Sequence, residues 1–417
     1  MDNYQLIGPF TQLLPMTGLP SKGVIPDTIL PIIEMGGILL KGETVHAVGT
    51  YNDLLSKAKI LGAGHIPLKG NHVCLPSFID AHTHICFGGS RARDYAMRNA
   101  GKTYLEIAKN GGGIWDTVTQ TRKAEQSSLK DGIVDRALTH IVHGVTTIEV
   151  KSGYGLSVRE ELKMLSAIKE ANTVTPADLI PTCLAAHMPP KDYDGTPQQY
   201  LEEISNVLFP LLREEGLSNR IDAFIEEGAF SKAVIAPYFE KAIAMGFDIT
   251  VHADQFSTGG SAVAIDHGAI SADHLEASTP LEIAQLAKSN VIATALPGAS
   301  MGLGCNFTPA RKILDAGISL AIASDWNPGS APMGDLLTQA AVLGTFEKLT
   351  NAEVLAGITL RAAAALNLTD RGVLEKGKIA DFVVFPTHNY QEITYQQGRM
   401  KPCMVWKKGT LVHTVKK

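Results

Sequence analysis

His82 and His84 stand two apart at the end of a short apolar run, Phe78-Ile79-Asp80-Ala81-His82-Thr83-His84. Alternate side chains of an extended strand point to one side, so the two imidazoles project together. Paired neutral imidazoles are half of a site for a divalent ion such as zinc or iron. Three further histidines occupy equivalent places. His187 closes the run Leu179–Ala186, His252 closes Phe247–Val251, and His274 follows Ala269–Ala272 and Asp273. Asp325 follows Ile318–Ala323 in the same way. A catalytic metal site needs about three protein ligands and an open position for water. Six candidates exceed that need, so some must act as acids, bases or substrate contacts.

The elements that carry these residues repeat. Val145–Lys151 runs into Ser152-Gly153-Tyr154-Gly155, Ile221–Ile225 into Glu226-Glu227, and Val291–Leu296 into Pro297-Gly298. With the runs already named, that makes eight short apolar segments ending in polar or turn residues. Helical spacing lies between them: Leu162, Leu165, Ile168 and Ala171 in Arg159–Ala171, and Ile235, Phe239, Ala242 and Met245 in Ala233–Met245. Strands alternating with helices predict an α/β fold with a parallel sheet, and eight units predict a (β/α)8 TIM barrel over residues 74–375. Function in that fold sits at the C-terminal strand ends, where the polar residues fall. Residues 1–73 and 376–417 read differently, as short β runs around the Lys41-Gly42-Glu43 and Lys408-Gly409 turns, with no long helical pattern. They predict one small composite β domain, a β-sandwich formed by both chain termini.

Composition narrows the function classes. The 417 residues are 45% hydrophobic and 19% charged, enough for a large core, and the net charge is −5. No basic stripe is present, so nucleic-acid binding is not expected. No apolar run approaches a membrane span, and Pro9, Pro15, Pro20 and Pro26 interrupt any secretory leader. The five cysteines (Cys74, Cys86, Cys183, Cys305, Cys403) are scattered without a CxxC pair, which suits reduced thiols in a cytoplasmic protein. The expected partner is a small-molecule substrate and the expected assembly a homodimer. His46, His65, His72, His140, His143, His267, His388 and His413 lie away from strand ends and read as surface or packing residues.

Taken in order, the motifs resemble the amidohydrolase superfamily of metal-dependent hydrolases. They are Asp80–His84, Phe87-Gly88-Gly89-Ser90-Arg91, Gly111-Gly112-Gly113-Ile114, Glu149–Leu156, His252-Ala253-Asp254, Ser271–Leu275 and Asp325–Ser330, and they span essentially the whole chain. The branch to which they are most similar opens the ring of 4-imidazolone-5-propanoate to N-formimidoyl-L-glutamate during histidine degradation. The resemblance implies one divalent metal ion per chain, Zn2+ or Fe, held by His82, His84, His252 and Asp325. It implies substrate contacts from Arg91, Tyr154, His187 and Gln255, ring or product contacts from Asn327, Gly329 and Ser330, and an acid–base role for His274.

These residue types suit that reaction. A divalent ion lowers the pKa of its water to about 7 and polarises the ring carbonyl. His274 can exchange protons near neutral pH, and Asp325 can move one from the attacking water to the leaving nitrogen. A guanidinium fork at Arg91 matches the substrate's propionate, and Tyr104 is expected to add a hydroxyl donor to it. Gln255 cannot exchange a proton, so it is expected to orient by hydrogen bonding. Many superfamily members bridge two metals with a modified lysine. Lys151, just past the second strand, is expected instead to form a surface or loop ion pair, which leaves the site mononuclear. Gly88-Gly89 and Gly153/Gly155 are expected to permit tight turns beside the pocket. Phosphate cradling by Gly111–Gly113 is not expected, because no Lys-Ser/Thr follows.

Three other readings stay open. A deaminase would need an acid carboxylate, which Glu226 or Glu227 could supply, and would release ammonia. A cyclic amidase of hydantoin-like rings would accept substrates without a side-chain carboxylate. A non-catalytic barrel would bind without metal or turnover.

Overall fold

The computed structural model describes residues 3–415, apart from the side chains of Tyr104, Leu105 and Ala108. The N-terminal flank forms five strands: β1 (Tyr4–Leu13), β2 (Ile33–Lys41), β3 (Thr44–Thr50), β4 (Gly64–Pro67) and β5 (Val73–Pro76). Eight strands follow: β6 (Phe78–Asp80), β7 (Val145–Lys151), β8 (Asp178–Ala186), β9 (Arg220–Phe224), β10 (Asp248–Ala253), β11 (Ser271–His274), β12 (Ile292–Ala295) and β13 (Leu320–Ile322). The chain closes with β14 (Phe382–Phe385), β15 (Met404–Lys407) and β16 (Thr410–Thr414).

The flanking strands share one continuous sheet in the order β16-β15-β14-β5-β1-β2-β3, with β4 beside β1. Its two halves meet where β14 pairs antiparallel with β5, Val384 opposite Cys74. The period of two lets the inner strands pack on both faces. Ile7, Ile38, Phe382 and Trp406 pack on one side, while Leu6 and Leu39 pack on Leu54 and Ala58 on the other. Leu54 and Ala58 belong to a ten-residue helix, Tyr51–Ile60, where no long helical pattern was expected. Thr50 caps it by accepting from Asp53 N, and two buried residues four apart suffice because the sheet supplies the remaining stability.

β6 to β13 pair in parallel, each with its sequence neighbour. Helices separate them as the spacing predicts. Val158–Val174 turns Met164, Leu165, Ile168 and Ala171 into the core, and Lys232–Ala244 turns in Ile235, Tyr238, Phe239 and Ala242. β7 is buried at every residue. Its odd-numbered side chains Glu149 and Lys151 point inside the barrel, and Ile148 and Val150 pack in the core shared with the helices.

The seam between the last and first strands is made at their upper ends. Asp80 Oδ1 accepts Ser324 N at 2.9 Å, His82 O accepts Asp325 N at 3.0 Å, and Trp326 O accepts His84 N at 2.9 Å. The seam therefore sets His82 and His84 in register with Asp325. Behind it His140 is buried edge-on against Trp326, a packing residue as its place in a helix implied. Among the described residues no helix is long and apolar enough to cross a membrane.

Candidate metal and active site

Four of the residues singled out in the sequence converge. His84 Nε2 lies 3.2 Å from His82 Nε2 and 3.3 Å from His252 Nε2. Asp325 Oδ1 lies 3.6 Å from His82 Nε2 and 3.4 Å from His84 Nε2. Ligands about 2.1 Å from a tetrahedral ion stand about 3.4 Å apart, and the three histidine nitrogens group as such ligands would, with Asp325 beside two of them. Three nitrogens and a carboxylate oxygen suit a divalent ion of the zinc or iron type, and all four residues are buried. Burial holds the His82 and His84 imidazoles well below their usual pKa, so they are neutral and carry free lone pairs. Burial also lifts the Asp325 carboxyl to about 7. A cation at their centre would favour the carboxylate again.

The imidazoles are oriented from behind. His82 Nδ1 hydrogen-bonds Asp273 Oδ2 at 2.7 Å, and His252 Nδ1 faces Asp222 Oδ2 at 2.9 Å. Each contact reserves Nε2 for the metal. The two aspartates are in turn tied to Lys151, whose Nζ lies 2.6 Å from Glu149 Oε1, 2.8 Å from Asp222 Oδ2 and 4.0 Å from Asp273 Oδ2.

This corrects the expectation of a surface or loop ion pair. Lys151 is fully buried inside the barrel, and although burial opposes its charge, Asp222 and Glu149 raise its pKa overall. The period of two already placed Glu149 and Lys151 on one face of their strand. Their partners Asp222 and Asp273 come from other strands and had no local signal. Lys151→Met should therefore destabilise the metal-free protein by about 3–5 kcal/mol, the scale for breaking a buried ion cluster. Urea unfolding measures it, and an unchanged midpoint would mean the carboxylates are balanced some other way.

Three strand-end residues, Asp254, His274 and Asp325, have φ of 50°, 86° and 52°. This left-handed backbone is uncommon for non-glycine residues and gathers at functional sites. It turns His274 inward, its ring 5.3 Å from that of His252, and its Nδ1 lies 3.4 Å from Glu276 Oε2. Burial pulls the His274 pKa down, but Glu276, Asp325 and Asp273 outweigh it and the net shift is upward.

These groups open on a cavity of about 680 Å³ lined by His84, Arg91, Tyr154, His187, His252, Gln255, His274, Asp325, Asn327, Gly329 and Ser330. The expected site residues are thus brought together, except that the Tyr104 side chain lies outside the described residues. His187 donates from Nδ1 to Gly153 O at 2.9 Å, and burial lowers its pKa to about 3, so it is neutral. The φ of 103° at Gly153 permits the turn that presents this carbonyl. Asn327 is already committed: its Nδ2 donates to Asp325 Oδ2 at 2.9 Å, and its Oδ1 accepts from Gly329 N and Ser330 N. Glu226 likewise accepts from Phe256 N and Ser257 N, bracing the loop after β10.

The amidohydrolase family model matches residues 73–412 of this chain. An imidazolonepropionase from Erwinia tasmaniensis is 40% identical over 381 residues, 91% of this chain and 93% of that protein. One from Symbiobacterium thermophilum is 37% identical over 410 residues, 96% of this chain and 95% of its own. Among solved structures, a zinc-complexed atrazine chlorohydrolase from Arthrobacter aurescens superposes with a TM-score of 0.73 at 16% identity, over 98% of this chain and 95% of that one. An adenosine deaminase from Xanthomonas campestris with bound zinc gives 0.70 at 17% identity, over 99% and 93%. At that identity the structures speak for the fold.

Proposed function

The chain belongs to the amidohydrolase family, alongside its imidazolonepropionases, and from that premise we infer that it is a hydrolase of cyclic-amide C–N bonds acting in histidine degradation. Its substrate is 4-imidazolone-5-propanoate and its product N-formimidoyl-L-glutamate. One observation carries the reading to these residues: the grouped imidazoles of His82, His84 and His252 adjoin a cavity lined by His84, His252, Asp325, His274 and Arg91.

His82, His84, His252 and Asp325 would hold one divalent ion, zinc or iron. Lys151 is engaged by carboxylates and is not free to become a bridge to a second ion. When bound, the ion supplies an acidified water and a polarised ring carbonyl. Asp325 takes the proton of the attacking water and returns it to the leaving ring nitrogen. His274, turned by Glu276 at Nδ1, offers Nε2 to the carbonyl oxygen as charge develops there. Tyr154, His187 and Gln255 orient the ring by hydrogen bonding. Asn327 and Ser330 fix the Asp325 carboxylate and the loop on which the ring lies. Glu226, held by two backbone amides, is poorly placed as a deaminase acid.

Arg91 binds the propionate. Arg91→Met removes charge-assisted hydrogen bonds of about 1.5–3 kcal/mol, or about 10- to 150-fold in kcat/KM, while metal content stays normal. Turnover like the parent's would move the propionate elsewhere, with Tyr104 the next candidate. The function itself is tested by incubating metal-loaded protein with freshly generated 4-imidazolone-5-propanoate and following N-formimidoyl-L-glutamate. No product with metal present would overturn it. The five free thiols suit a reducing cytoplasm, and a homodimer is the assembly we expect.

A further inference from the structure

The triple-glycine motif finds a role in how Arg91 is held. Asp94, one turn along from Arg91, is 3% exposed. Its Oδ2 accepts Arg91 Nε at 2.8 Å and Gly113 N at 2.8 Å. Gly113, with φ of 85°, is the N-cap of helix Ile114–Lys123, so the carboxylate sits at the positive end of a helix of ten residues. A Cβ on Gly112 would collide with both Asp94 carboxylate oxygens. The glycine turn therefore does bind an anion, and that anion is the protein's own Asp94.

Arg91 is gripped at Nε alone. Among the described residues neither Nη1 nor Nη2 has a hydrogen-bond partner, and the guanidinium lines the cavity. Its other flank lies so close to the loop after β13 that a Cβ on Gly329 would strike Nη1. Arg98, on the same helix Ala92–Asn99, donates to Gly302 O at 2.6 Å and Gly329 O at 3.3 Å, which stitches that helix to the loop. A fork held by its stem between two walls keeps its paired N–H groups aligned, and that alignment is what bidentate carboxylate binding requires.

We propose that Asp94, seated in the Gly111–Gly113 turn, is the positioning residue that aims the Arg91 fork and so sets the preference for a substrate bearing a carboxylate arm. The proposal rests on the reading that Arg91 binds the propionate, and the test separates the two. Asp94→Ala, Gly112→Ala and Arg91→Met are assayed with the imidazolone propanoate and with the same ring lacking the carboxylate. Asp94→Ala should raise KM far more than it lowers kcat and reduce the preference for the carboxylate-bearing ring about tenfold, the scale of one charge-assisted hydrogen bond held out of line. Asp94→Asn keeps an acceptor oxygen and should recover most of that preference. Gly112→Ala should act in the same direction as Asp94→Ala, by displacing the carboxylate, and decides the matter if Asp94→Ala fails to fold. Loss of preference in Arg91→Met with none in the Asp94 and Gly112 variants would overturn the proposal and leave the Arg91 reading intact. An equal loss on both substrates would mark Asp94 as merely structural and overturn it too. An unaffected Arg91→Met would remove the premise itself.

Discussion

His252→Ala will lose its metal and its activity together. The parent should carry close to one divalent ion per chain by elemental analysis. The variant should bind that ion at least roughly 100-fold more weakly, since removal of an outer partner alone costs about 10- to 100-fold. The reason is geometric. His252 Nε2 approaches His84 Nε2 at 3.3 Å and its Nδ1 faces Asp222, so the substitution removes one of the three grouped imidazole nitrogens. Two ions per active chain in the parent would contradict the proposed single site of His82, His84, His252 and Asp325, and would call for a second set of ligands.

His274→Ala should part company with that variant. His274 adjoins the cluster, its ring 5.8 Å from that of His82, but its nitrogens are not among the grouped imidazole atoms of His82, His84 and His252. Metal content should stay near normal while kcat falls about 10²–10⁴-fold, the usual scale for a positioned acid or base. Added zinc or iron should not restore the rate. A metal-free His274→Ala beside a loaded His252→Ala would exchange the two roles.

The barrel strands were legible because parallel strands buried on both faces read as short apolar runs, and because chemistry gathers where those runs stop. His82, His84, His187, His252, His274 and Asp325 all announced themselves in that way. What supports them did not. Asp222 is one polar residue inside an apolar run, and its meaning depends on His252 and Lys151, which reach it from other strands. Asp94 carries no local signal either, because the glycine turn that closes over it lies 19 residues further along the chain. Lys151 closes an apolar run, and the carboxylates that hold it inside the barrel, Asp222 and Asp273, come from other strands. Local patterns give elements and their exposed ends, whereas pairings across a sheet or between loops depend on the closed fold.

The seam between β6 and β13 bears on the making of the protein. It joins Asp80 to Ser324 across 244 positions, and the ligands flank it on one side with His82 and His84 and on the other with Asp325. Contacts this distant in sequence form late and slowly, after the loop-closure entropy has been met. A ribosome that has released only the first strands has delivered two histidines and no coordination sphere. The seam that aligns His82 and His84 with Asp325 is made only after the eighth strand has emerged and docked, so the full arrangement that would hold the ion is complete late in the folding of the barrel.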